Sequence, residues 1–189
     1  CEEGHFICDE CHSKRGIEVV MEGCRKTPSK NPIAILQSLM EDPFVYMHGP
    51  EHHVMVGAAL LAAYRNAGGE LDLEQALAEM AQRGQQVPGG ACGFWGCCGA
   101  AVSTGIFVSI VTGSSPLSGK SWGLCNEMTS RALASLAAVG GPRCCKRNSF
   151  LATIEAVKFA REKLGVSMEL PEKIQCAFFP ENQQCLRKK

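Results

Sequence analysis

Between Pro88 and Gly113 the chain reads PGGACGFWGCCGAAVSTGIFVSIVTG, a thiol-bearing glycine loop that runs into the most apolar segment of the sequence. Both halves restrict what can form. Gly89, Gly90, Gly93, Gly96 and Gly99 open backbone conformations closed to other residues and allow close approach to a ligand. From Cys97 onward the spacing predicts a buried helix. Cys97, Ala101, Gly105 and Ser109 make a stripe of small residues, and Val102, Ile106 and Ile110 make a bulky one beside it. One buried cysteine in such a place is an ordinary small apolar residue. Three of them, Cys92, Cys97 and Cys98, within seven residues point to a metal or a reactive sulfur.

The chain of 189 residues is long enough for one real core. Nineteen basic residues balance nineteen acidic ones, so no field is set up to attract nucleic acid or an anionic membrane. The apolar run near residues 100–112 is too short, and too rich in Ser, Thr and Gly, to span a bilayer. Twelve cysteines would suggest a disulfide framework in a small secreted chain. Here they accompany long helical patterns, a sufficient core and two adjacent Cys-Cys pairs, which fits reduced thiols in a cytoplasmic protein.

The first residues, CEEGHFICDECHSKRGIEVVMEGC, place Cys1, His5, Cys8 and Cys11 in C-x3-H-x2-C-x2-C, with Cys24 further on. Two ligands spaced x2 on a tight turn can face one cation, and a later Cys or His can close a tetrahedron. The expectation is a small zinc-ribbon-like knuckle over residues 1–29, folded by Zn2+, with one hairpin. An iron–sulfur cluster on Cys1, Cys8, Cys11 and Cys24 is the alternative.

Residues 30–189 carry repeated, capped helical patterns, and the expectation is a mainly α domain of five or six helices. Asn31-Pro32 opens one helix and Asp72 caps another. Ser121, and Asn148 or Ser149, are placed as caps of the last two. A helix from Gly49-Pro50 to Gly68-Gly69 puts His53, Val56, Gly57, Leu60, Tyr64 and Ala67 on its buried-looking face, His52 at the edge and Glu51 opposite. A histidine at a buried helix N-terminus is disfavoured as a cation by burial and by the dipole, which makes it a neutral base or ligand. In GGPRCCKRNSF, Cys144 and Cys145 sit among Arg143, Lys146 and Arg147 just before a helix. Positive neighbours and a helix start lower a thiol pKa, and they also favour a small anion held by Arg143. Cys176 and Cys185 in the tail have no assigned partner. A catalytic or cofactor-handling centre is therefore expected from His52 or His53, Cys98, and Cys144 or Cys145, with Arg143 on an anionic substrate. Zn2+ or an iron–sulfur centre suits that donor set. The alternatives are thiol redox exchange and a metal-stapled interaction module without catalysis.

Three blocks, MHGPEHH, PGGACGFWGCCGAA and GGPRCCKRNSF, together with CEEGHFICDECHS, resemble a cysteine-rich domain family of archaea and anaerobic bacteria whose function is not assigned. Its members occur alone or joined to radical-SAM or SAM-dependent methyltransferase modules. The resemblance implies anaerobic iron–sulfur or one-carbon chemistry and such a module as partner. It also implies that Cys98 is the family cysteine of its pair, Cys97 standing where the family pattern has a small residue.

Overall fold

A computed structural model describes residues 9–186, and among these every regular element is helical. Eight α-helices follow one another: α1 (Asp9–Lys26), α2 (Pro32–Met40), α3 (Glu51–Asn66), α4 (Leu73–Gly84), the single turn α5 (Ala91–Phe94), α6 (Gly99–Thr112), α7 (Lys120–Val139) and α8 (Cys145–Phe159). A π-helical turn, Ala160–Leu164, extends α8 to Gly165. The mainly α expectation holds, with more helices than the five or six anticipated. No described helix is long and apolar enough to cross a membrane.

The hub is α3. From Val54 to Ala63 all but Gly57 are core hydrophobics, and Gly57 is itself buried, so no face of this stretch is left to solvent. A helix apolar on all sides must be covered on all sides. Accordingly α1, α2, α4, α6 and α8 all pack against it. Outside them lies α7, which buries only Met128, Ala132 and Leu136, at i, i+4 and i+8, against α6 and α8. The end of α3 is tied back by Asn66, whose Nδ2 donates to the carbonyls of Thr27 and Ser29, each at 2.9 Å.

Residues 9–26 form one helix and not the hairpin of a knuckle. Ile17, Val20, Met21 and Cys24 recur at i, i+3, i+4 and i+7 and enter the common core. That periodicity outweighs the metal-type spacing, because burying four apolar side chains on α2, α3 and α4 stabilises a helix here. Cys24 is fully buried and its thiol is pushed up to about 12 by loss of hydration. Thirteen residues along a helix is about 20 Å, so Cys24 is no partner for Cys11, which lies in the first turns of α1. Cys1, His5 and Cys8 lie outside the described residues.

Two caps fall where the sequence placed them. Asn31 Oδ1 accepts from Ile33 and Ala34, and Asp72 accepts from Gln75. Two do not. Gly119 precedes α7 without a side-chain cap, and Cys144 precedes α8, its Sγ accepting from the Arg147 N–H at 3.5 Å. The α6–α7 contact depends on Gly105: a Cβ there would stand 2.0 Å from Thr129 Oγ1 and 3.2 Å from the Cys125 carbonyl. Thr129 is held by its own bond to that carbonyl. Gly105→Ala is therefore expected to lower unfolding stability by about 1–3 kcal/mol despite the better helix propensity of alanine. Thr129→Ala should recover part of that loss in the double variant, read by urea denaturation.

Candidate functional site

Three helix starts meet where the fold brings α3, α6 and α8 together: Glu51 on α3, Gly99 on α6 and Cys145 on α8. Each contributes unsatisfied backbone N–H groups and the positive end of a dipole. Cys98 is the residue before α6, and its Sγ accepts from Asn148 Nδ2 at 3.5 Å. His53 is anchored by its Nδ1, 2.9 Å from the Val87 carbonyl, and its ring packs against Gly99. A Cβ at Gly99 would come within 2.2 Å of the imidazole, so this approach requires glycine. His53 and Cys98, predicted to converge, are neighbours here.

Cys145 completes the group. Burial pushes its thiol up to about 11, against the pull of a backbone hydrogen bond from Gly49 and of Arg143, while Cys98 and Cys92 lie close enough to add repulsion. Its helix start and basic neighbours were expected to lower the thiol pKa. Burial wins, because a thiolate loses more hydration there than one bond and one exposed guanidinium return. Cys92 and Cys98 face a cavity of about 590 Å3 with Gly93, Gly96, Arg143, Arg147 and Asn148; Leu133 and Leu136 of α7 close its far side. Arg147 is committed to structure. It donates to the carbonyls of Gly140 and Pro142 and to Asn148 Oδ1, which fixes the loop before α8. Arg143 is exposed and has no hydrogen-bond or ion-pair partner among the described residues. Cys97 lies off this cavity; burial and the adjacent Cys98 raise its pKa.

Cys144 is separated from Cys145 by one peptide bond and faces elsewhere, into a second, apolar cavity of about 300 Å3 that Cys176 and Cys185 also line. Among the described residues no three His, Cys, Asp or Glu side chains are gathered to hold a single metal ion. The cysteines from Cys24 to Cys185 are all free thiols.

The sequence profile of the family of unknown function DUF5714 matches residues 20–189. The chain belongs to DUF5714. No curated protein matches it, and neither does any solved structure. The DUF5714 match takes in both cavities and all three helix starts, so the site belongs to the family's own region of the chain.

A second polar layer beneath the thiols was not anticipated. His52, placed at the edge of the buried face, is 1% exposed, and Glu51, placed opposite, is also 1% exposed. Helical spacing alone misplaces both residues because the first turn of α3 is covered from both sides, by Gly16 of α1 and by the loop around Phe44 and Tyr46. Burial raises the Glu51 carboxyl, but the His52 ring and the N–H groups of Glu51 and Tyr46 hold it below the ordinary carboxylate value. His52 Nδ1 is 3.5 Å from Glu51 Oε1, too long for a good hydrogen bond, and neither ring nitrogen has a well-formed partner. His48 Nδ1 is likewise buried and unpartnered. Lys146, read from sequence as a loop cation, is 2% exposed. Its Nζ donates to the carbonyls of Met40 at 3.1 Å and Val45 at 3.3 Å and sits 3.9 Å from the centre of the Phe178 ring. The missed signal was its position: the second residue of α8 faces inward because α8 enters the core at its first turn.

Two outcomes follow. Lys146→Ala leaves two buried carbonyls without their donor, and should cost about 2–4 kcal/mol in urea unfolding. Burial and neighbouring positive charge hold His48 below 6.5, and burial does the same for His53 against the Val87 bond. Below pH 6.5 the unfolded chain thus takes up protons that the native state refuses, and stability should fall as pH drops. Denaturation midpoints at pH 8, 6 and 5 check this, and the slope should be shallower in His48→Asn.

Proposed function

We propose that this chain acts on a small anionic substrate through a thiol centre made of Cys92, Cys98 and Cys145. The observation that carries the reading is the shared cavity, in which an unpaired guanidinium, Arg143, and two cysteines from different elements face the same space. Arginine binds carboxylate or phosphate in forked geometry, and the converging helix starts favour the same charge. A carboxylate or phosphate on Arg143 would bring its neighbouring atoms toward Cys92 and Cys98. His53 holds its Nδ1–H on Val87, so its Nε2 is left as the acceptor and can take a proton at the Cys98 end of the site.

The donor set also suits a soft metal. Cys92, Cys98 and Cys145, with His53, are groups that Zn2+ or an iron–sulfur centre would use, and ligation would supply the thiolate that burial withholds at Cys145. Since the three sulfurs are not gathered on one point, metal binding requires the glycine loop that carries Cys92 to close. His52 lies in the layer beneath, and Cys144 belongs to the other cavity; neither is placed in this centre. The free thiols fit a reducing, cytoplasmic setting.

One observation favours a partner at the same mouth. Phe94 and Trp95, on the loop between Cys92 and Cys98, are 89% and 69% exposed. Aromatic side chains at a cavity rim suit a docking surface, and a radical-SAM or methyltransferase module is the partner implied by the resemblance.

The test is alkylation of Cys92 and Cys98 by iodoacetamide, mapped by mass spectrometry, with and without inorganic phosphate or acetate. The anion should protect both cysteines, and Arg143→Ala should weaken that protection about tenfold or more. Alkylation indifferent to the anion would reject the reading. Zinc or iron bound by the anaerobically purified protein and lost in Cys98→Ser/Cys145→Ser would place metal at the thiols, whereas a metal-free protein with anion protection leaves them as nucleophiles.

A further inference from the structure

Among the described residues beyond Leu164 only short turns are formed, yet the segment stays against the helices. Glu169 N–H donates to the Lys30 carbonyl and Gln37 Nε2 to the Gln175 carbonyl. Met168 is buried, and Ile174 and Phe178 pack on the core. An irregular segment of this length loses much conformational entropy when it is ordered, and every constraint on it offsets part of that cost.

The segment returns two cysteines to one place. Cys176 and Cys185 face the apolar cavity of about 300 Å3, whose other thiol is Cys144 at the start of α8. The rest of the wall is chiefly aliphatic and aromatic, from Phe150, Leu151 and Ile154 of α8 and from Ile174 and Phe179 of the tail. Positive charge flanks it: Arg147 lines the cavity, and Lys146 lies close enough to Cys144 and Cys176 to feel their charge. The turn that carries Cys185, closed by its N–H on the Asn182 carbonyl, buries Asn182 to 4% exposure and leaves Asn182 Nδ2 without a partner. Thus three thiols from distant parts of the sequence line one largely apolar cavity with Arg147 in its wall, and the turn that carries one of them holds an unused buried donor. No single ion explains this, since the side chains do not gather on one point. A cluster spreads its cysteines over several irons and needs no common point.

We propose that Cys144, Cys176 and Cys185 hold an iron–sulfur cluster in this cavity. Iron–sulfur clusters take cysteine thiolates as ligands, and their potentials respond to hydrogen bonds on sulfur and to exclusion of solvent. On binding, three thiols release three protons to solvent and three iron–thiolate bonds form, displacing the ligands carried by the incoming cluster; no electron is transferred. One iron is left for a ligand outside this cysteine set. Arg147 lines both this cavity and the anion-binding one. The cluster site does not depend on the proposed role of that cavity.

The experiment is anaerobic reconstitution of the full chain with equal ferrous and ferric iron and with sulfide, which together match the oxidation level of a cluster, followed by iron and acid-labile sulfide analysis and visible absorption. Wild type should bind both and develop the charge-transfer absorption of a cluster. Cys176→Ser/Cys185→Ser should lose iron, sulfide and colour together, and Cys98→Ser/Cys145→Ser should keep them. Far-UV circular dichroism of each variant tells loss of the ligands from loss of the fold, and Cys125→Ser, outside both cavities, controls for removal of a thiol. Wild type that stays free of sulfide would overturn the assignment. So would a folded Cys176→Ser/Cys185→Ser variant that keeps its cluster, or iron and sulfide lost only with Cys98 and Cys145.

Discussion

An all-apolar helix cannot be left at a surface, and this fold follows from the need to cover α3. Five helices meet that need from different directions, and two of them, α6 and α8, arrive with their first turns beside the first turn of α3. Three positive helix ends and their unpaired N–H groups are brought together as a result. Such a convergence is unfavourable unless something negative, or something that accepts hydrogen bonds, lies among them. Glu51, the sulfur of Cys145 and the sulfur of Cys98 all occupy that region. The site is a consequence of covering the hub helix.

The polar layer under the thiols is part of the same arrangement. Glu51, His52 and Lys146 are buried and His48 is half-buried; Lys146 and Glu51 have hydrogen-bond partners, whereas His52 and the Nδ1 of His48 have none. Buried groups of this kind cost stability unless they are satisfied. Lys146 couples this layer to the other cavity, since it lies close enough to Glu51 on one side and to Cys144 and Cys176 on the other to feel their charge.

Neighbouring cysteines are divided between two environments at the start of α8. A helix turns by about a quarter of a circle per residue, so Cys144 and Cys145 face different sides of the same N-terminus. Cys145 looks toward the glycine loop and Cys144 toward the tail. A pair that reads as one motif in sequence is divided between two surroundings.

Much of this was legible along the chain. The helices and the caps Asn31 and Asp72 follow from periodicity and from breaks at Gly and Pro, which are local. The N-terminal helix was also legible, in Ile17, Val20, Met21 and Cys24, but ligand-like spacing at Cys8 and Cys11 competed with it. What the chain could not state were the burial of Glu51, His52 and Lys146, the rise of the Cys145 pKa and the division of Cys144 from Cys145. Each depends on which other element covers a helix's first turn, and that is set by contacts between residues far apart in sequence. Sequence by itself determined the helices and the chemistry available to them; only tertiary packing decided which thiols share a cavity, because desolvation and mutual charge act through space and not along the chain.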